Sequence, residues 1–120
     1  MEKLSFNAAV LSKQNNPLDL LNNIQIPELK EGQVLVKLAY SGLCHSQIME
    51  IDGKRGRDKY IPHLLGHEGS GLVIEVGKGV KKIKPGDKVV LTWIKAKGME
   101  SVTPSFKLND QTINAGSVTT

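Results

Sequence analysis

The stretch Gly66-His67-Glu68-Gly69-Ser70-Gly71-Leu72-Val73-Ile74-Glu75-Val76-Gly77-Lys78-Gly79-Val80 decides how the rest of the chain is read. Its second half, from Gly71 to Val76, is rich in β-branched residues and predicts a strand. Gly77 and Gly79, followed by Pro85 and Gly86, predict a turn. Asp87-Lys-Val-Val-Leu-Thr-Trp-Ile94 then predicts a second strand. The glycines on either side of His67 and Glu68 allow backbones to approach closely, with two polar side chains set among them. These signals together read as a strand-turn-strand unit entered through a glycine-rich turn.

Outward from that unit the chain reads mostly as strands joined by turns. Leu4 to Val10 alternates, with Leu4, Phe6, Ala8 and Val10 on one face, and Asn15-Asn16-Pro17 breaks the pattern. Ile24-Gln25-Ile26 alternates before Pro27, and Gln33 to Tyr40 reads as a strand between Gly32 and Gly42. Cys44 to Asp52 predicts a short helix ended by Gly53. Lys95 to Asp110 is polar and irregular and reads as a loop. Ile113 to Thr120 has β-branched residues and no terminating signal, which reads as an element cut short.

At 120 residues the chain is about one domain's worth, given ~100–200 residues per domain. It is 39% hydrophobic and 23% charged, a globular balance that argues against disorder. The 12 glycines, 5 prolines and 4% aromatic content agree with many turns and short strands. No apolar run approaches the ~20 residues needed to span a bilayer, and MEKLSFNAAVLSK lacks the features of a signal peptide. A single cysteine, Cys44, excludes an internal disulfide framework and fits a reducing compartment, so a cytoplasmic location is expected. The net charge of +4 comes with a pI near 9.2. Lys78, Lys81, Lys82, Lys84, Lys88, Lys95 and Lys97 cluster in one region. The first five have no interleaved aromatics on which bases could stack, so the expected reading is a solvated turn and no nucleic-acid partner.

Cys44 and His67 are candidate metal ligands. A thiolate and an imidazole suit Zn²⁺, but by type alone a lone Cys is more often a small buried hydrophobe and a lone His more often a hydrogen-bonded bystander. Polar groups follow both: His45 and Ser46 after Cys44, Glu68 after His67. A hydroxyl beside a ligand can pass a proton, and a carboxylate beside a ligand histidine can orient it.

Taken in order, these segments form a pattern. Gly66-His67-Glu68-Gly69-Ser70-Gly71, then Gly77 and Val80, resembles the signature of zinc-containing medium-chain alcohol dehydrogenases. Gly42-Leu43-Cys44-His45-Ser46 resembles the same family's first zinc-ligand turn. Lys84-Pro85-Gly86-Asp87-Lys88-Val89, Gly32-Gln33-Val34-Leu35-Val36-Lys37 and Ile113-Asn114-Ala115-Gly116 also fit in order.

The resemblance implies a mainly β fold with short helices, a GroES-like partly open β-barrel. Over residues 1–120 it implies the N-terminal catalytic domain of a longer dehydrogenase whose Rossmann domain binds NAD or NADP. It implies that Cys44 and His67 are two ligands of a catalytic zinc, with Glu68 a carboxylate close behind it. It likewise implies Ser46 as the hydroxyl relaying the alcohol proton, His45 as a contact to cofactor phosphates and Trp93 as a wall of the substrate pocket. A structural histidine and plain core packing are the alternatives for His45 and Trp93. The implied activity is oxidation of a small alcohol, or reduction of a carbonyl, by hydride exchange with NAD(P), in a homo-oligomer when full length. The domain alone is expected to be inactive.

Three departures qualify the likeness. Gln47 stands where relatives commonly have an Asp hydrogen-bonded to the ligand histidine. Met49 replaces the distal histidine of the proton relay. Lys95 to Asp110 has no cysteines, so no thiolate structural zinc is expected. No G-x-G-x-x-G occurs, and a third zinc ligand is not evident. A zinc-free quinone-reductase-like relative would lack both ligand positions; a non-catalytic GroES-like assembly module would not need them.

Overall fold

The computed structural model describes residues 4–115. Gly116 and the rest of the tail read above as a cut element lie outside the described residues. The chain divides into two compact units. One is built from residues 4–27, Leu43–Gly66 and 104–115; the other from Glu28–Gly42 and His67–Thr103.

The first unit holds a small closed barrel in the order β1 (Ser5–Leu11), β2 (Asp19–Gln25), β7 (Ser105–Leu108), β8 (Gln111–Asn114), β4 (His63–Leu64). All its pairings are antiparallel except β4 with β8, which run parallel through His63 and Asn114. Val10, Ile24 and Ile113 form its fully buried centre, with Phe6, Ala8, Leu21, Leu64, Phe106 and Leu108 packed around them. The Phe6 and Phe106 rings meet edge to face at 5.3 Å, tying β1 to β7. The expected one-faced alternation of β1 holds for Phe6, Ala8 and Val10, whereas Leu4 is exposed. Leu11 is buried as well, on the opposite side of its strand.

The same unit carries α1 (His45–Ile51), the helix expected over Cys44 to Asp52 and the one α-helix among the described residues. Cys44 is its N-cap and Asp52 its C-cap. No described helix is long and apolar enough to cross a membrane.

The second unit is a three-stranded antiparallel sheet, β3 (Val34–Ser41), β5 (Glu68–Val76), β6 (Lys88–Thr92), with β5 central. This is the strand-turn-strand read from the sequence, with β3 added on one side. Gly71 sits where β3 crosses close. A Cβ there would meet the Lys37 carbonyl, so only glycine fits without displacing backbone. The turn into β6 runs Lys84-Pro85-Gly86-Asp87. Its Asp87 N–H donates to the Lys84 carbonyl at 3.1 Å, with Pro85 and Gly86 at the two central positions, as in a type II turn.

One expectation is corrected. Lys95 to Asp110 is not all loop, because Ser105–Leu108 forms β7. Phe106 and Leu108 point into the barrel core while Ser105 and Lys107 face outward, and pairing with β2 and β8 holds the strand.

Candidate functional site

The proposed site residues divide between the two units. In the first, Cys44 closes the N-terminus of α1 with an extended backbone. Its N–H donates to the Gln47 side-chain oxygen at 2.8 Å, and the Gln47 N–H donates to the Cys44 carbonyl at 3.1 Å. Gln47 thus occupies the third helical position of a capping box, satisfying a backbone donor that would otherwise lack a helical partner. Gln47 is itself buried. Its amide is spent on fixing the Cys44 backbone, a role that its place in the family pattern did not reveal. The S/T-x-x-E/Q capping signature would have found it had Cys been counted as a cap.

Ser46 lies one position into the first turn of α1 and is partly buried; His45 is exposed. Met49, also on α1, carries no titratable group, so the helix offers Ser46 but no second proton carrier at that position.

In the second unit, His67 directly precedes β5 and Glu68 begins it. The His67 side chain is mostly buried and Glu68 half exposed, with 3.9 Å between His67 Nε2 and a Glu68 carboxylate oxygen. The Glu68 side chain lies over Gly42: a Cβ at Gly42 would collide with it. The close approach arises because Ser41 pairs with Gly69 and the Gly42 N–H donates to the Glu68 carbonyl at 3.2 Å. The absence of a side chain at Gly42 therefore makes room for the carboxylate beside His67. Trp93 follows β6 and is 62% exposed, so it is not packed in the core.

The donor chemistry of Cys44 and His67 suits zinc, which normally takes three or four protein ligands. Among the described residues no three His, Cys, Asp or Glu side chains gather to hold a metal. By donor type alone Cys44 and His67 each suit one place in such a set, whose other ligands would have to come from elsewhere. A shallow groove of about 550 Å³ runs over the sheet, lined in part by Lys37, Tyr40, Leu72 and Val90. It contains none of the proposed site residues.

Comparison with known proteins places the chain in a family. Residues 30–117 match the family described as "Alcohol dehydrogenase GroES-like domain". An alcohol dehydrogenase of Geobacillus stearothermophilus is 40% identical over 87 residues, covering 72% of this chain and 25% of that protein. An S-(hydroxymethyl)glutathione dehydrogenase of Escherichia coli is 40% identical over 83 residues, covering 69% and 22%. Among solved structures, an alcohol dehydrogenase zinc-binding domain protein from Burkholderia ambifaria superposes with a TM-score of 0.69 at 32% identity, covering 79% of this chain and 25% of that one. An alcohol dehydrogenase from Thermotoga maritima gives 0.59 at 35% identity, covering 71% and 24%. The chain spans about a quarter of the length of these relatives. With its mainly β fold, its small barrel and its ordered motifs, the chain belongs to the alcohol dehydrogenase GroES-like domain family, in the medium-chain alcohol dehydrogenase group.

Proposed function

We propose that residues 1–120 act as the N-terminal catalytic domain of a zinc-dependent alcohol dehydrogenase. The enzyme oxidises a small alcohol to an aldehyde or ketone with hydride transfer to NAD or NADP held by a Rossmann domain. The observation that carries this is Cys44 locked at the N-cap of α1 by Gln47, with Ser46 in the first turn of that helix, in a chain of this family. Cys44 and His67 are the chain's zinc ligands, joined by a third from elsewhere in the enzyme. Glu68 is the carboxylate beside His67. Zinc, when bound, supplies a Lewis acid that favours loss of the alcohol proton.

The chain's own residues do the rest. Gln47 holds the Cys44 backbone so that its thiol is presented in one orientation. Ser46 accepts the substrate hydroxyl proton and passes it outward; with Met49 on the helix, the next carrier is water. His45, exposed at the start of α1, contacts the cofactor phosphates, and Trp93 lines the substrate pocket. The enzyme is cytoplasmic and homo-oligomeric, with no nucleic-acid or membrane partner.

Metal analysis of the complete protein and its Cys44→Ala variant tests this. Stoichiometric zinc in the parent and loss of most of it in the variant are expected; equal zinc in both would overturn the role of Cys44. Residues 1–120 alone should show no NAD(P)-dependent alcohol oxidation.

A further inference from the structure

The segment between α1 and β4 carries Lys54, Arg55, Arg57 and Lys59, all exposed. Among the described residues none of these cations lies within ion-pair distance of a carboxylate; the ion pairs there are His63–Asp58, His67–Glu68, Lys84–Asp87 and Lys95–Glu100. Asp58, the acid within the cationic run, is taken up from inside. One of its oxygens sits 2.5 Å from the Nε2 of the buried His63, and the other accepts the Tyr60 N–H at 2.8 Å. Glu50 and Asp52 precede the run and pair with none of the four.

The loop is also pinned along its length, all within the first unit. Gln14 reaches into it from beyond β1. Its side-chain NH₂ donates to the Glu50 carbonyl at 3.3 Å and the Gly56 carbonyl at 3.0 Å, and its side-chain oxygen accepts the Asp58 N–H at 3.3 Å. The Lys54 N–H donates to the Met49 carbonyl at 3.0 Å, continuing the hydrogen bonding of the helix end. Asn114 of β8 holds the far side, donating from its side chain to the Tyr60 carbonyl and from its backbone to the Pro62 carbonyl, both at 2.9 Å. A solvated charge run needs no such scaffold. Here buried and backbone groups hold the loop while its cations stay unneutralised, so an anion meets an ordered site and loses less in ordering it.

We infer that residues 54–59 form an anion-recognition loop, and that the substrate is an alcohol or carbonyl compound bearing a carboxylate or phosphate. Arg55 and Arg57 are the principal contacts, because guanidinium groups pair with these oxygens in a two-point fork that lysine cannot make. The spacing is set by α1. Its seven residues span about 10 Å from the Cys44 cap to the loop, and an arginine side chain can bridge a good part of that. A substrate held from both ends of this span would carry its anionic group a few bonds from the reacting carbon. The inference takes only the reactive end of the substrate from the proposed alcohol oxidation; the charged end follows from the loop.

The test compares 1-butanol, 4-hydroxybutyrate and inorganic phosphate on the complete protein and its Arg55→Gln/Arg57→Gln variant, by calorimetry and by kcat/KM. Both arginines are exposed, and an unchanged circular dichroism spectrum shows that the variant folds. Binding of 4-hydroxybutyrate should weaken about tenfold in the variant, the scale of losing two partly exposed charge contacts. Phosphate should compete with it, and kcat/KM for 1-butanol should not change. Equal effects on the neutral and anionic alcohols, no weakening at all, or phosphate binding without competition would each overturn the inference. So would tighter, arginine-dependent binding of duplex DNA. Arginine-dependent binding of 4-hydroxybutyrate without oxidation of any alcohol would sink the proposed activity and leave the loop's role standing.

Discussion

The barrel and the three-stranded sheet bury their apolar residues very differently. In the barrel Val10, Leu11, Ile24 and Ile113 are completely excluded from solvent. In the sheet Val73 alone among the hydrophobics is fully buried, while its neighbours Leu72 and Ile74 on the opposite face are 39% and 41% exposed. Tyr40 and Val90, each 79% exposed, widen that open face. A five-stranded barrel curls its inner face around a core, whereas a flat ladder of three strands has two faces and here covers one. The lesson is that the two kinds of β structure answer to different controls: side-chain packing in the barrel, backbone pairing and turns in the sheet.

Substitutions can break or sharpen that contrast. Ile113→Ala should have the largest effect, costing about 2–5 kcal/mol because a buried branched side chain leaves a cavity. Urea unfolding of the complete protein measures this; a loss below about 1 kcal/mol would mean that the barrel core is not packed as described. A smaller effect should appear in the Lys84–Asp87 turn. The Lys84 N–H, donating to the Asp87 carboxylate at 3.0 Å, and then the Lys84 ammonium at 3.1 Å hold the Asp87 carboxyl below its ordinary value of 3.8. A depressed acid stabilises the fold above its unfolded value, and that contribution fades as pH falls through the folded value. Asp87→Asn should therefore lower stability at neutral pH and flatten its loss below about pH 4, so that the two proteins converge on the acid side. An Asp87 carboxyl resonance titrating at or above 3.8 would refute the turn's role. Smallest of all, Val90→Thr keeps a β-branched residue on the open face and should stay within about 0.5 kcal/mol. A loss matching that of Ile113→Ala would show the face to be covered in the complete protein.

The same contrast explains what could be read before the structure was known. β3, β5, β6 and α1 announce themselves through local runs of β-branched or helical residues bounded by glycine. The barrel's later strands do not. β4 is two residues long and exists because Val10 and Leu11 pair with it. β7 offers only Phe106 and Leu108 as alternating apolar residues in a polar stretch, too short a signal to stand alone. At the candidate site, Cys44, Ser46, His67 and Glu68 stand out in the sequence only through an ordered family pattern. The capping role of Gln47 was not legible, because it depends on a hydrogen bond to a neighbour's backbone. The loop of Lys54 to Lys59 was passed over because its distinguishing feature, an acid already occupied by His63, lies in three dimensions.

The order of strands in the barrel has a consequence for how the molecule is made. β1 and β2 emerge first from the ribosome, yet Gln25 pairs with Lys107 and His63 with Asn114. At ~5–20 residues per second, the earliest hairpin exists for several seconds with an unsatisfied edge before β7 and β8 arrive. The sheet β3-β5-β6, whose strands lie between them in sequence, can pair completely in that interval. Nascent chains should thus acquire a finished sheet and an unclosed barrel. The vulnerable interval for aggregation lasts until the β7-β8 hairpin arrives and closes the barrel.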